Sequence, residues 1–400
     1  MKRILITSFT YFPNADGCSQ AATVLARGLA KQGHDVTVAT EFHPNRSPEA
    51  PDANPRMVQF KISGSSNWRV GVKGEPRERA AYQQFLREFD GDLIIFENWH
   101  FWNTYLAEPI LRQIKAKKIL VSHAYTPHLW TIFPKFPWGA TYWLGGWPLF
   151  FRTPWLMRQL DQLVVLSERQ DFGRFLDHKI ARWIGYEKVS VIPNGAFASE
   201  FNNERLPEFR ATFGIGSELI LLCVANFFVG KNQLLAVRAF RRAQLKNGIL
   251  ILIGGEFNGY SEQLRQLDAE LQTDFPDGRV LLLEKLTRSQ TCAAYRAADL
   301  FVLPSRAETQ PIVLLEAMAS RTPWLSTNIG CISELPGGIV VNSENEMVEK
   351  MRELAGSETL RQKLAGEGWA ASQKTYDWDK VVEAYARLID RLFNQKAEAS

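Results

Sequence analysis

The sequence predicts an α/β protein of two doubly wound, parallel-sheet domains, and three observations predict it. Short apolar runs recur along the chain and alternate with amphipathic stretches, the runs fall into two series, and a break rich in Pro, Asn, Gly and Ser parts the series near Asn194 to Arg205. Runs that are apolar on both faces and alternate with helical patterns mark parallel strands covered by helices on both sides, so each series reads as a Rossmann-like domain. The chain has 400 residues, 46% hydrophobic and 22% charged, enough for two cores of ordinary size. That excludes disorder, collagen and a disulfide scaffold.

The first series runs Ile4 to Thr7, Val36 to Ala39, Leu93 to Phe96, Ile119 to Ser122, Leu163 to Leu166 and Val189 to Ile192. The N-terminal MKRILIT is basic then apolar, but its apolar run stops at Thr7 and no small-residue cleavage site follows, so it reads as the first strand and not as a signal peptide. Ala21, Val24, Leu25, Gly28 and Leu29 make one apolar helical stripe, closed by Gly33 as C-cap. The second series runs Leu219 to Ala225, Ile249 to Ile253, Val280 to Leu283, Leu300 to Leu303, Trp324 to Ser326 and Ile339 to Val341. The domains are therefore expected at 1–197 and 198–377, with a last helix over about 378–395.

Cys18, Cys223, Cys292 and Cys331 lie far apart without CxxC or Cys/His spacing, which argues against structural zinc and for reduced thiols in a cytosolic protein. Net charge is +4, unevenly spread: residues 1–197 hold 24 Lys+Arg against 17 Asp+Glu, and residues 198–400 hold 23 against 26. This is too weak for a nucleic-acid footprint, and no RNP, zinc-finger or arginine-rich motif is present; an anionic membrane surface or a small anionic ligand fits better.

In open parallel sheets, ligands bind beyond the carboxyl ends of the strands, where helix N-termini point their amides outward. Tyr11 to Ser19, His100, His123, Ser167, Asn226 to Lys231 and Glu308 all fall at such ends. In Pro304 to Ala319, Pro311 suits the first turn of a helix and Thr309 or Gln310 is expected to cap it, leaving first-turn amides for an anion or polar hydroxyls. Glu308 before that helix and Glu316 within it address different parts of an extended ligand, and vicinal hydroxyls suit a carboxylate that accepts two hydrogen bonds side by side. Spacing alone leaves open a capping carboxylate and a surface one. Lys231, after Gly230 and before the helix Gln233 to Arg242, is placed to neutralise a diphosphate, although GxxxxGK[ST] is absent and a solvated lysine is the open alternative.

Together these segments resemble the retaining GT-B glycosyltransferases of glycosyltransferase family 4. The Glu308/Glu316 pair in its EAMA context, Lys231, the lead-in Ala297 to Ser305, the IPNG segment Ile192 to Gly195, and Tyr376-Asp377-Trp378 at the entry to a last crossover helix each match a family motif. The resemblance implies a GT-B fold whose two domains face a cleft, with the C-terminal helix crossing back to the N-terminal domain. The N-terminal domain would bind the acceptor and the C-terminal domain a nucleotide-sugar donor. Glu308 and the amides of the Thr309, Gln310, Pro311, Ile312 stretch would hold the sugar and distal phosphate. Glu316 would bind the ribose, Lys231 the leaving diphosphate, and Leu286 the base through its backbone. Gly17 would belong to a glycine-rich loop near the diphosphate, and His123 would sit at the reacting side of the sugar. Two departures stand out: Asn226 replaces the usual Arg of the phosphate loop, and Phe197 the usual Asp after PNG-x.

Asp90-Gly91-Asp92 spells the DxD of metal-dependent sugar transferases, but Asp-Gly before a strand is ordinary turn chemistry and no metal is expected there. Between Tyr125 and Trp155, 11 of 31 residues are aromatic, five of them Trp, and Lys135 is the one charge from Leu129 to Phe151. Pro134, Pro137, Pro148 and Gly145-Gly146 would break a spanning helix, so the segment reads as a membrane-interface or acceptor-lipid site, a sugar-stacking cleft, or packed core. Trp130, Trp143 and Trp147 are its acceptor or membrane candidates; His100, in Glu97-Asn98-Trp99-His100, is read separately as an acceptor or packing residue, and His128 is undecided.

The expected activity is a metal-independent, configuration-retaining hexosyl transfer from a UDP- or GDP-sugar to a glycan or lipid-linked acceptor in polysaccharide or glycolipid synthesis. No cofactor beyond that co-substrate and no nucleic-acid partner is expected, and the location is cytoplasmic, peripheral on the inner membrane face. The alternatives are a non-catalytic partner subunit and a GT-B epimerase or phosphorylase.

Overall fold

The computed structural model describes residues 1–14, 16–46, 53–66, 71–123, 151–169, 176–202 and 208–394. By its internal contacts the chain divides into two compact units, Met1–Pro193 with Val381–Ser400, and Asn194–Lys380. The helix Trp378–Asn394 begins in the second unit's segment and ends in the first's.

The first unit is built on a parallel sheet of seven strands. They are β1 (Arg3–Thr7), β2 (Asp35–Glu41), β3 (Arg56–Phe60), β6 (Leu93–Glu97), β7 (Lys117–Ser122), β8 (Gln162–Val165) and β9 (Val189–Val191), with β4 (Ser63–Gly64) and β5 (Val72–Lys73) forming a separate antiparallel pair. The order is β3-β2-β1-β6-β7-β8-β9. Every residue of β6 is buried, as expected of a central strand with helices on both faces. The sequence reading missed β3, β4 and β5. The Arg56–Phe60 strand lies at the sheet edge with only Phe60 buried, so selection for a continuous apolar run is absent there.

Aromatic rings fill part of this core: Tyr82 stands edge-on to Phe60 and Trp102 at 5.1 and 5.0 Å, and its hydroxyl donates to the Asn103 carbonyl at 2.9 Å. The helix Gly17–Lys31 is capped by Asp16, whose carboxylate accepts from the Ser19 amide at 3.0 Å, and is ended by Gly33 at φ 88°. Its Gly28 lets the last helix approach, since a Cβ there would lie 2.5 Å from Val382 Cγ2. The Asp90 and Asp92 carboxylates bind the start of β1, with the Arg3 guanidinium 3.1 Å from Asp90 and the Arg3 amide donating to Asp92 at 2.8 Å. They lie at the amino ends of the strands, the end opposite the one where such sheets bind ligands.

The second unit carries a parallel sheet of six strands: β10 (Leu219–Val224), β11 (Gly248–Gly254), β12 (Arg279–Glu284), β13 (Leu300–Leu303), β14 (Trp324–Thr327) and β15 (Gly338–Val341), in the order β12-β11-β10-β13-β14-β15. Strand alternation divides the core into two layers. Ile220, Leu222, Ile249 and Ile251 pack with Tyr295, Phe301 and Met318. Leu221, Cys223, Leu250 and Leu252 pack with Phe240, Leu264 and Met351. In both sheets the chain order reverses beside the first strand, between β1 and β6 and between β10 and β13, so each unit has one crevice where loops leave in opposite directions.

Candidate active site

In the second unit, the crevice between β10 and β13 is formed by the loops 225–232 and 304–311. They are stitched together by backbone and side chain alike: the Arg306 amide donates to the Gly230 carbonyl at 2.9 Å, and the Asn232 side-chain amide donates to the Pro304 carbonyl at 3.1 Å. Across this seam Lys231 Nζ lies 2.7 Å from Glu308 Oε1. The Glu308 side chain is 13% exposed and that of Lys231 29%, so the pair faces solvent on one side only. The buried thiol of Cys223 lies within its field and is pushed up to about 12 by burial, so it stays neutral.

A third loop fixes the position of Glu308. The Cys331 amide donates to the Thr309 carbonyl at 3.0 Å, and Gly330 sits at φ 54° with its Cα against the Glu308 and Thr309 carbonyls. A Cβ at 330 would come within 2.3 Å of the Thr309 oxygen, so this approach requires glycine. The expectation that Thr309 or Gln310 caps the following helix is corrected: Pro311 is the N-cap residue of the helix Ile312–Ala319, and no side chain caps it. Gln310 is used elsewhere. Its side-chain oxygen accepts from the Asn194 amide at 2.6 Å, and its carbonyl accepts from Asn194 Nδ2 at 3.3 Å, so it faces the IPNG segment. By helix geometry the amides of Ile312 and Val313 have no carbonyl one turn earlier to bind, which makes this end a locus of positive partial charge beside Glu308 and Lys231.

Glu316 is 3% exposed and its Oε1 lies 2.6 Å from Arg288 NH1. The other guanidinium nitrogen is 2.5 Å from Glu200 Oε2. The flanking carboxylates outweigh burial and raise the Arg288 pKa further, so the cation is permanent. Leu286, two residues ahead, packs against the core at the end of β12. Asn226 is exposed, and its carbonyl accepts from Gln233 Nε2 at 3.0 Å.

The IPNG and Tyr-Asp-Trp segments meet. The Ala196 amide donates to the Tyr376 carbonyl at 2.8 Å, and a Cβ on Gly195 would stand 2.9 Å from the Trp378 nitrogen. Phe197 precedes the short helix Ala198–Phe201, which carries Glu200.

The first unit holds His123 and Gly17. His123 Nε2 lies 2.7 Å from Glu97 Oε2, with side-chain exposures of 10% and 3%. Glu97 ends β6 and His123 follows β7, neighbouring strands. Gly17 is the first residue of its helix, behind a loop pinned by Arg46, which donates to the Phe12 and Glu41 carbonyls at 2.7 Å each and to the Tyr11 carbonyl at 3.2 Å. His100 takes φ 65°, and its carbonyl accepts from the Ser66 amide at 2.7 Å, as part of a strained turn with Asn98 at φ 70°. Trp130, Trp143, Trp147 and His128 lie outside the described residues. At the end of the aromatic segment, Phe151 is 66% and Trp155 39% exposed. No helix among the described residues is long and apolar enough to cross a membrane, and among them no group of three or more His, Cys, Asp or Glu is arranged to hold a metal.

The structure thus pairs Lys231 with Glu308 and sets both beside Thr309 to Ile312. It places Glu316 on Arg288, which the sequence reading did not single out, and it keeps Gly17, His100 and His123 in the other unit. Arg46, Gly330 and Arg288 were missed because their signal is a contact distant in sequence; a turn glycine and two lone arginines carry no motif of their own.

Two doubly wound parallel-sheet units, the second with a cation and carboxylate at its crevice, define a GT-B fold. The model of "Glycosyltransferase Family 4" matches residues 15–197, and that of "Glycosyl transferases group 1" matches residues 218–357. Between them the two models cover most of the chain, which is similar to the GT-B glycosyltransferases of family 4. It is 26% identical over 207 residues to D-inositol 3-phosphate glycosyltransferase of Segniliparus rotundus, covering 49% of this chain and 45% of that one. It is 24% identical over 340 residues to alpha-monoglucosyldiacylglycerol synthase of Streptococcus pneumoniae, covering 81% and 70%. The match to the first of these spans less than half of that relative's length. Among solved structures, sucrose-phosphate synthase of Thermosynechococcus elongatus superposes with a TM-score of 0.77 at 18% identity over 99% of this chain and 100% of that one. HepE of Anabaena in complex with UDP-glucose does so at 0.68 and 14%, covering 98% and 100%. At these identities the likeness is one of fold.

Proposed function

We propose that the protein is a configuration-retaining hexosyltransferase that moves a sugar from a nucleoside-diphosphate donor to a glycan or lipid-linked acceptor without a metal. The observation that carries this reading is the Lys231–Glu308 pair at 2.7 Å beside the uncapped start of the helix Ile312–Ala319. A diphosphate needs charge neutralisation as its bond to the sugar breaks, and Lys231 with the helix amides supplies it from a preorganised position. Donor entry exchanges one anion for another at Lys231: the ammonium turns to the phosphate, and Glu308 is released to accept hydrogen bonds from the sugar hydroxyls. Because Asn226 brings no charge, Lys231 bears more of that neutralisation than where an Arg stands beside it. In the front-face route usual for this family, the departing phosphate oxygen takes the acceptor's proton, and His123, held by Glu97, positions the sugar.

The donor in this reading is a UDP- or GDP-sugar; HepE, which shares the fold, was solved with UDP-glucose. A lipid-linked acceptor is favoured by the likeness to alpha-monoglucosyldiacylglycerol synthase and by the exposed Phe151 and Trp155. The test is donor consumption by the purified chain over a panel of UDP- and GDP-sugars, with and without EDTA. Turnover that survives chelation is expected. Turnover that stops with EDTA and returns with Mg²⁺ or Mn²⁺ would overturn the metal-free route, and no consumption of any donor would favour a non-catalytic partner subunit.

A further inference from the structure

We infer that Arg288 is a positioning residue for the donor's ribose, holding the Glu316 carboxylate in the one orientation that accepts from the vicinal hydroxyls. The inference rests on the proposed role of Glu316 and extends it to a residue and a contact that no family motif above includes.

Three elements meet at this cluster. Glu200 comes from the helix Ala198–Phe201, Glu316 from the helix Ile312–Ala319, and Arg288 is the first residue of the helix Arg288–Ala297. That helix start is fixed by a reciprocal capping box, in which Thr287 accepts from the Gln290 amide and Gln290 accepts from the Thr287 amide. The guanidinium is then gripped at both ends, 2.6 Å from Glu316 and 2.5 Å from Glu200, with the Phe201 ring 5.5 Å from its central carbon. A planar fork fixed in this way presents its N–H to Glu316 Oε1 from one direction, which a lysine ammonium, a point charge on a flexible stem, does less well.

An ion pair alone is weak evidence of purpose, since apolar residues of similar volume often stabilise as much. What this one supplies is orientation. Glu316 is 3% exposed, and a polar group so buried needs a hydrogen-bonding partner, which Arg288 provides. The groups facing it besides Arg288 are Tyr295 and Cys292, whose thiol is pushed up to about 11 by burial; both are neutral and bring no competing charge. A carboxylate offers about four acceptor sites, so the bonds from Arg288 and Tyr295 leave room for a pair of hydroxyls. Leu286, the residue expected to meet the base, lies two positions before Arg288 in the link from β12 to that helix, so base and ribose contacts would come from neighbouring residues.

The experiment is calorimetric titration of the full chain with UDP and 2′-deoxy-UDP, and with GDP and 2′-deoxy-GDP, with melting temperature followed in parallel. The wild-type protein is expected to prefer the ribonucleotide by about tenfold, the scale of leaving one buried hydrogen-bonding group unpaired. Glu316→Gln and Arg288→Ala should both reduce that preference to less than about threefold, and Arg288→Lys should recover part of it. Should Arg288→Ala not fold, Glu200→Gln, which releases the far end of the guanidinium, should shift the preference in the same direction. A preference retained in Glu316→Gln overturns the ribose reading itself. A preference lost in Glu316→Gln but retained in Arg288→Ala, or equal weakening of ribo- and deoxyribonucleotide binding in Arg288→Ala, overturns the role of Arg288 alone.

Discussion

Replacing Lys231 with methionine keeps the length of the side chain and removes its charge. In the ligand-free protein this charge meets Glu308 at 2.7 Å, with 29% and 13% of the two side chains exposed. A pair with that access to solvent is screened, and its loss should cost about 1 kcal/mol or less, a fall of roughly 2–4 °C in the melting of a domain of this size. If the pair were only structural, the rate could fall no further than the same energy allows, about fivefold. If Lys231 receives the diphosphate as the sugar leaves, the loss is that of one preorganised electrostatic contact, about 3–4 kcal/mol, or roughly a hundred- to a thousandfold in turnover. The two effects differ enough to be separated by initial rates at saturating donor set beside a thermal melt. The charge-exchanged variant Lys231→Glu with Glu308→Lys gives a second check: the pair and its melting temperature should return while turnover does not, because the cation now stands on the sugar side. Turnover of Lys231→Met within tenfold of wild type would refute the assignment.

Gly330→Val would place a Cβ within 2.3 Å of the Thr309 oxygen at φ 54°, so a melt lowered by about 1–3 kcal/mol and a raised donor KM are expected; unchanged values would mean the Glu308 loop is not held there. Burial raises Asp177 to about 6, more than the donors Ser122, Trp99 and His178 lower it. The native state therefore keeps a proton that the unfolded chain loses near pH 4, and stability from this group is full below about pH 4 and lost as pH rises through 6, about 3 kcal/mol in all. Urea melts between pH 4 and 7 should show that slope in the wild type and lose it in Asp177→Asn. Trp143→Ser with Trp147→Ser should weaken binding to anionic vesicles and transfer to a lipid acceptor while sparing donor hydrolysis; unchanged vesicle binding with lost activity on a soluble acceptor would make the aromatic stretch a sugar-stacking wall.

The sheets were legible wherever burial on both faces leaves no alternative to an apolar run. Leu93–Phe96 and Ile249–Ile253 could be read directly, whereas Arg56–Phe60, half-exposed at an edge, could not. Lys231 and Glu308 were legible through their place at strand ends, since the topology that reverses strand order also dictates which loops meet. What the sequence did not carry is the direction of side chains in those loops. Proline at 311 was expected inside the helix with a polar cap before it, yet the chain uses Gln310 to hold Asn194 and leaves the helix uncapped. Arg288 illustrates the same limit. Its partners Glu200 and Glu316 are remote in sequence, and only the packing of three helices brings them to one guanidinium.

The four thiols offer an experimental handle. Cys223, Cys292 and Cys331 are buried, and burial pushes the first two to about 12 and 11, where neither solvent nor a thiol reagent finds a thiolate. Cys18 alone among them is partly accessible, the second residue of the helix Gly17–Lys31, with Asn98 donating to its sulfur at 3.3 Å. A maleimide dye added to the folded protein should therefore label one position without any cysteine being removed, and that position is next to Gly17. Fluorescence from such a label would follow the glycine-loop segment in real time as nucleotide or acceptor is mixed in, using the natural sequence as its own reporter.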